Sequence, residues 1–321
     1  MRPPTAPDGR TAAIPAGMGA RVRRLTTRLN QYIATGRRNP VWFAMFIFGR
    51  FTLARRLAWG IRSPSRRRSR TDHPTIFPAV DVEAAVRDLR VDGIHPGLML
   101  PRTTLAEILR FAEARRCYAN SDPNRAIRVN RGGDVHFDGP PPLIADYHGQ
   151  VFDCPAIRQL ATDGTLTRIA TAYLRSEPQL TRCRLWWSFV APDSPAELRN
   201  TFSQDAFHFD IDDWACLKYF FYLVDVDDGA GPHRVIRGSH RNRRLRHQFT
   251  IFKGQSLASL TKVYPARDFL TITGPAGFGF AEDPFAFHTG TVATVRPRLM
   301  LEVEYGVSQL PVAGRYGSPQ G

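Results

Sequence analysis

Apolar positions recur along this chain with two different periods, and the change falls near residue 180. Before it the spacing is helical. Val82, Ala85, Val86 and Leu89 form one stripe within Asp81–Val91, which Gly93 stops. Thr104 and Glu107 have capping-box spacing and open a helix whose inward positions are Leu105, Ile108, Leu109 and Ala112. A third helix is expected over 165–174, with Leu166, Ile169, Ala170 and Tyr173 inward. From residue 180 the period is two: Cys183, Leu185, Trp187 and Phe189 alternate with Arg182, Arg184, Trp186 and Ser188. Residues 215–224 are almost continuously apolar, and further strands are expected at 233–236, 269–273, 277–281 and 298–305. Gly229, Gly231, Pro232, Gly274, Pro275 and Gly277 punctuate them. Many short strands after a run of helices predict a mainly β fold with flanking helices, a sandwich or barrel.

The first seventy residues follow another pattern. Residues 1–18 are rich in Pro, Gly and Ala and lack periodicity. Residues 19–35 read as a basic amphipathic helix with Val22, Leu25, Leu29 and Ile33 on one stripe. Residues 41–61 read as a second, aromatic-rich helix interrupted by Arg50, Arg55 and Arg56. Each arginine deep in a bilayer costs about 2.5–3.5 kcal/mol, which argues against spanning. Two readings of residues 19–61 stay open: peripheral contact with a membrane surface, or packing on the body or a second copy of the chain. The apolar run begins only at Val41, so a secretory signal is not expected. Residues 62–70 read as a linker. The expected organisation is a basic arm over 1–72, a body over 73–308 and a tail over 309–321.

Charge sharpens this division. Of 44 basic and 29 acidic residues among 321, residues 1–70 hold sixteen arginines and one acid, Asp8; the remainder carries 28 of each. The net charge of +15 therefore belongs to the arm. A neutral body, and an arm without a recognisable reading module, exclude nucleic acid as the expected partner. The four cysteines, Cys117, Cys154, Cys183 and Cys216, form no CxxC pair. They suggest neither a zinc ribbon nor a disulfide scaffold, and a reducing, cytoplasmic setting is expected, with peripheral membrane association as its variant. The sequence sets no oligomeric state.

Among nine histidines, His208-Phe209-Asp210 stands out. Residues i and i+2 of a strand share a face, so an imidazole and a carboxylate can reach one ion together. A third ligand must come from another strand, and His288, after an apolar aromatic run, is the best placed. Two histidines and one carboxylate on one face suit a non-haem Fe(II) site with open positions. Asp212, at i+4 from His208 and on the face of Asp210 if the strand runs straight, and Asp213 are nearby alternative carboxylates. Alone an HxD is a weak signal. Arg298, ten residues after His288, strengthens it: an arginine aimed into a barrel calls for an anion. The alternative is pairing with Glu302 or Glu304 at the rim.

These residues, in order, resemble the phytanoyl-CoA dioxygenase family. The resemblance is carried by His208-Phe209-Asp210, the strand 217–223, Asp225-Val226-Asp227, Ala230-Gly231-Pro232, Gly238-Ser239-His240-Arg241, Gly274-Pro275-Ala276-Gly277, His288-Thr289-Gly290 and Arg296-Pro297-Arg298. It covers about residues 80–306. It implies a double-stranded β-helix (jelly-roll, cupin-like) core and an Fe(II)- and 2-oxoglutarate-dependent dioxygenase using O2. Such an enzyme hydroxylates a small-molecule or lipid-like substrate and releases succinate and CO2. It further implies His208, Asp210 and His288 as iron ligands and Arg298 on the distal carboxylate of 2-oxoglutarate. An intact carboxylate at 210 favours hydroxylation over halogenation. Lys218 either helps hold the cosubstrate or snorkels to the rim. Thr289, with Gln204, Trp214, Tyr222 and Thr291, is a weaker pocket candidate. The sequence departs from the family at Arg237, where proline is usual, and at His233, where an apolar residue is expected. Six arginines between 234 and 246 either greet an anionic substrate group or form a solvated face.

Overall fold

In the computed structural model, residues 33, 36, 37, 39–61, 73–135, 141–249 and 254–308 are described. The expected helix over 19–35, apart from residue 33, lies outside them, as do the linker 62–70 and the tail beyond 308. The chain divides into two compact units between Ala44 and Met45. Helix α1 (Pro40–Phe48) begins in the first and ends in the second. The expected continuous helix over 41–61 is instead α1 and α2 (Thr52–Ile61), interrupted around Gly49 and Arg50. Among the described residues no helix is long and apolar enough to cross a membrane.

Helix α3 (Val82–Val91) forms as its pattern predicts. The Asp81 carboxylate accepts from the Glu83 and Ala84 N–H groups, and Ala85, Val86 and Leu89 are buried. Helix α4 (Arg102–Ala114) starts without the expected capping box. Thr104 is buried, and Glu107 accepts from the Ala156 N–H across to the next helix, so a tertiary partner displaces the local one. Helix α5 (Pro155–Ala161) precedes α6 (Gly164–Leu174), which Asp163 caps through the Thr165 and Leu166 N–H groups.

Strands β1 (Ile94–Met99), β2 (Cys117–Ala119), β3 (Ala126–Ile127), β4 (Ile144–Asp146), β5 (Gln179–Ser188), β6 (Cys216–Tyr222), β7 (His233–Ile236), β8 (Phe269–Ile272), β9 (Phe278–Glu282), β10 (His288–Gly290) and β11 (Arg298–Gly306) form two antiparallel sheets. The large sheet runs β1-β9-β6-β11-β5-β4-β2-β3 and the small one β10-β7-β8. Residue 208 joins the small sheet by bridging to His288. Following the chain from β5, strands pass from large sheet to small (208), to large (β6), to small (β7, β8), to large (β9), to small (β10) and back to large (β11). This alternation is jelly-roll connectivity, and the fold is mainly β with flanking helices.

The period of two now has a cause. One face of the large sheet packs Leu185, Trp187, Leu217, Tyr219, Phe221, Leu299, Leu301 and Val303 into a core with Leu89, Ile108, Leu160 and Ile169 from the helices. The other face turns Trp186, Phe220, Tyr222, Phe280 and Met300 toward Val235 and Ile272 of the small sheet. Strand β6 is buried on both faces, and so reads as an apolar run.

Candidate metal centre

His208 and His288 face each other across a narrow antiparallel pair. The His208 N–H donates to the His288 carbonyl and the His288 N–H to the His208 carbonyl, both at 2.9 Å. Residues directly opposite in such a pair present side chains to the same face. The imidazole centroids are 4.4 Å apart. Asp210, two residues along, brings its carboxylate to both rings: Oδ1 lies 3.7 Å from His208 Nε2, and Oδ2 lies 3.6 Å from His288 Nε2. One donor atom from each of the three lies within 4.8 Å of the others.

Both rings are held the same way. His208 Nδ1 lies 3.1 Å from the Ala206 carbonyl and His288 Nδ1 lies 3.0 Å from the Ala286 carbonyl. A carbonyl can only accept, so each Nδ1 carries a proton, and Nε2 is the ring atom left facing the shared space for an ion. Burial pushes the His288 imidazole down to about 4, keeping it neutral near pH 7. Burial works against the Asp210 carboxylate, but Lys218, His288 and His208 together hold it well below the usual range. Two imidazole Nε2 atoms and one carboxylate oxygen are the donor set that a divalent first-row metal takes.

The charges around this set also fit a divalent ion. Lys218 is buried inside the barrel, not at the rim. Its ammonium lies 2.5 Å from Asp210 Oδ2, 3.2 Å from Asp212, 3.3 Å from Glu304 and 3.8 Å from Glu302. Arg182 meets the same group: Asp212 at 2.8 Å, Glu304 at 3.2 Å and Glu302 at 3.7 Å. Four carboxyl groups thus face two cations in a shielded space, so acidic groups outnumber basic ones even with Glu304 partly protonated. Burial, with Asp212 and Glu302 nearby, pushes the Glu304 carboxyl up to about 7 despite Arg182 and Lys218. Asp212 sits on Arg182 and Lys218 rather than with the imidazoles.

Arg298 opens strand β11 opposite Ser188. It is 3% exposed, and among the described residues no carboxylate lies within 4.0 Å of it. Glu302 and Glu304, its expected rim partners, pair with Arg182 and Lys218 instead. Its guanidinium donates to the Gly231 carbonyl and, at 3.3 Å, to Ser188 Oγ, and meets the Tyr222 hydroxyl, while Nε has no partner among the described residues. Burial lowers its pKa. Gly290 lies on the His288 side of β10, where a Cβ would stand 3.4 Å from Arg298 Nη2. The missing side chain leaves the guanidinium accessible from the imidazole side. A buried cation with an idle donor fits an anionic ligand such as a carboxylate.

The remaining candidates are less central. Thr289 is on the opposite face of β10 from His288, and its hydroxyl lies near the Ser203 carbonyl at 3.4 Å and its neighbour Gly290's at 3.1 Å. The Tyr222 hydroxyl donates to the Ile272 carbonyl and accepts from the His233 N–H. His240 is buried, its Nε2 lying 3.3 Å from the Arg90 carbonyl. Of the six arginines at 234–246, Arg243 is buried against Phe209, Phe285 and Phe287, with its guanidinium carbon 3.9, 3.9 and 4.5 Å from their ring centroids.

Glu282 was not among the sequence candidates. Its Oε2 lies 2.7 Å from His233 Nε2, its Oε1 lies 3.2 Å from His288 Nδ1, and the His233 ring stacks on His288 at 5.5 Å. The signal was present: Glu282 continues the inward phase of Phe278 and Phe280. Burial pushes its carboxyl up to about 7 and the His233 imidazole down to about 3.

No family model and no curated protein matches this chain. Solved structures give a distant likeness. The epimerase SnoN, in complex with Fe3+, alpha ketoglutarate and nogalamycin RO, is 17% identical, with 75% of this chain and 95% of that chain covered and a TM-score of 0.49. EctD from S. alaskensis with bound Fe is 16% identical, with 75% and 80% covered and a TM-score of 0.48. The non-heme monooxygenase ThoJ is 15% identical, with 74% and 82% covered and a TM-score of 0.47. Likeness this distant leaves the functional reading to the side chains themselves.

Proposed function

We propose that this protein is an Fe(II)- and 2-oxoglutarate-dependent dioxygenase that hydroxylates a small-molecule or lipid-like substrate. In this reading residues 73–308 are the catalytic domain, and 1–72 and 309–321 are accessory. The observation that carries it is the set of two Nε2 atoms and the Asp210 carboxylate turned onto one space, each Nδ1 tied to the carbonyl two residues back. His208, Asp210 and His288 hold the iron. Arg298 takes the distal carboxylate of 2-oxoglutarate, its charge otherwise unmatched. When bound, iron with 2-oxoglutarate and O2 supplies the oxidising power that replaces C–H by C–OH, with release of succinate and CO2.

The chain's own residues do the rest. The backbone pair between 208 and 288 fixes the ligand spacing before any ion arrives. Ala206 and Ala286 hold the imidazole tautomers, as partners of metal-binding histidines do. Phe220, Phe280, Tyr222 and Met300 line the barrel with apolar surface that excludes water. Lys218 keeps Asp210 ionised.

Anaerobic addition of Fe(II) and 2-oxoglutarate tests this directly. A visible charge-transfer band is expected, followed in air by succinate release, with both absent in His208→Ala. No band with intact protein refutes the proposal. A second reading, a jelly-roll that binds metal without turnover, is favoured by the 2.5 Å Lys218–Asp210 ion pair, which competes for a ligand oxygen. Metal uptake without succinate release across a substrate library supports that reading.

A further inference from the structure

Helix α2 is turned inside out. Arg55 faces the body, 6% exposed: its Nη1 donates to the Asp213 carbonyl at 3.1 Å, and its guanidinium carbon lies 4.0 Å from the Phe285 centroid. Trp59 donates to the Leu174 carbonyl. Leu53 and Leu57, one turn apart, point outward at 68% and 58% exposed. A second segment lies alongside: the Thr52 N–H donates to Gln248, and Phe51 packs edge-on against Phe249, centroids 5.2 Å apart. That segment also exposes its large apolar side chains, Leu245 and Phe249, and Phe48 at the end of α1 is exposed too. Single exposed leucines are ordinary, but five large apolar side chains on neighbouring segments mark an interaction surface.

The charge around them says what covers it. Arg56, Arg244 and Arg246 are exposed on the same segments. The described stretches that supply this face, residues 48–57 and 244–249, contain no acidic residue. A symmetric pairing of two copies would set arginines against arginines. A nucleic acid would match the charge but leave five apolar side chains in water. An anionic lipid surface satisfies both, with headgroups for the arginines and the acyl boundary for the leucines and phenylalanines.

We propose that Phe48, Leu53, Leu57, Leu245 and Phe249, rimmed by Arg56, Arg244 and Arg246, dock this protein on an anionic membrane surface. The basic residues of the arm add attraction, while the apolar face inserts. This is independent of the iron chemistry. Docking the α2 side would bring a substrate partitioned in the membrane close to the body.

The test is sedimentation of the full chain with vesicles of phosphatidylcholine alone or with one third phosphatidylserine. Binding is expected to the anionic vesicles only. It should weaken when salt rises from about 0.1 M to about 1 M, which shortens the screening length from about 10 Å to about 3 Å. Leu53→Gln with Leu57→Gln should cut partitioning by about tenfold per leucine, without lowering the melting temperature. All four native cysteines are buried, so a polarity-sensitive dye on Leu57→Cys should report transfer to an apolar medium on binding. Vesicle binding equal to the parent's in the double variant overturns the proposal, as does an unmoved dye. So does a parent dimer that the variant dissolves, or preferential binding of duplex DNA or RNA over anionic vesicles.

Discussion

Replacing Arg298 with glutamine should move two measurements in opposite directions. In the free protein the guanidinium is buried with no carboxylate within reach among the described residues, and its polar neighbours are the Gly231 carbonyl and the Ser188 and Tyr222 hydroxyls. Its lowered pKa states the same cost: the charged form is less comfortable here than in water. Arg298→Gln removes that charge while keeping a polar group near the Gly231 carbonyl. Relief of about 1 kcal/mol raises the melting temperature by about 2–4 °C for a domain of this size. Binding of 2-oxoglutarate should move the other way. Truncating one partner of a buried, hydrogen-bonded charge pair costs about 2–5 kcal/mol, so affinity should fall by about thirtyfold to several thousandfold. Thermal unfolding without cosubstrate gives the first quantity. Anaerobic titration of the Fe(II)-loaded protein with 2-oxoglutarate, followed by its visible band, gives the second. A variant that is several degrees less stable and binds 2-oxoglutarate as the parent does would refute the assignment and make Arg298 a structural residue.

Further outcomes follow from the same site and core. Lys218→Met removes a cation shared by four carboxylates; the metal-free protein should lose about 3–5 kcal/mol in denaturant unfolding. Stabilisation by a divalent metal should grow in that variant, because Asp210 no longer answers to an ammonium. Asp210→Ala should abolish metal-induced stabilisation in the same melting assay. Burial lowers the pKa of His240; below about pH 6.5 the unfolded chain takes up a proton that folded His240 resists. This contribution is present above that pH and lost as pH falls, so the parent's stability margin over His240→Gln should shrink between pH 7.5 and 5.5. Leu89→Ala in α3 empties a fully buried position and should cost about 2–5 kcal/mol, while leaving the ligand spacing, and hence metal affinity, unchanged.

The sequence by itself determined whatever rests on local geometry. Period two over 182–189 set the phase of β5, with Leu185 and Trp187 on the helix side and Trp186 in the barrel. The i, i+2 spacing of His208 and Asp210 made a shared space reachable, although the structure forms no strand there, only bridges at 207 and 208. The same alternation set Arg298, Met300 and Glu302 on one side of β11. Asp81 capped α3 because its acceptors are two and three residues away. Only the tertiary structure decided which charges meet and which faces close. Glu107 has capping-box spacing, yet turns to Ala156, 49 residues on. Lys218 gathers Asp210, Asp212, Glu302 and Glu304 from two places in the chain, and Glu282 finds His233 across the sheets. Arg55 is inside and Leu57 outside, although hydropathy alone orders them the other way. Burial and pairing depend on partners brought together by sheet register and by the crossing of strands between layers. Apart from Lys218 with Asp210 and Asp212, no short window of sequence contains both ends of such a contact.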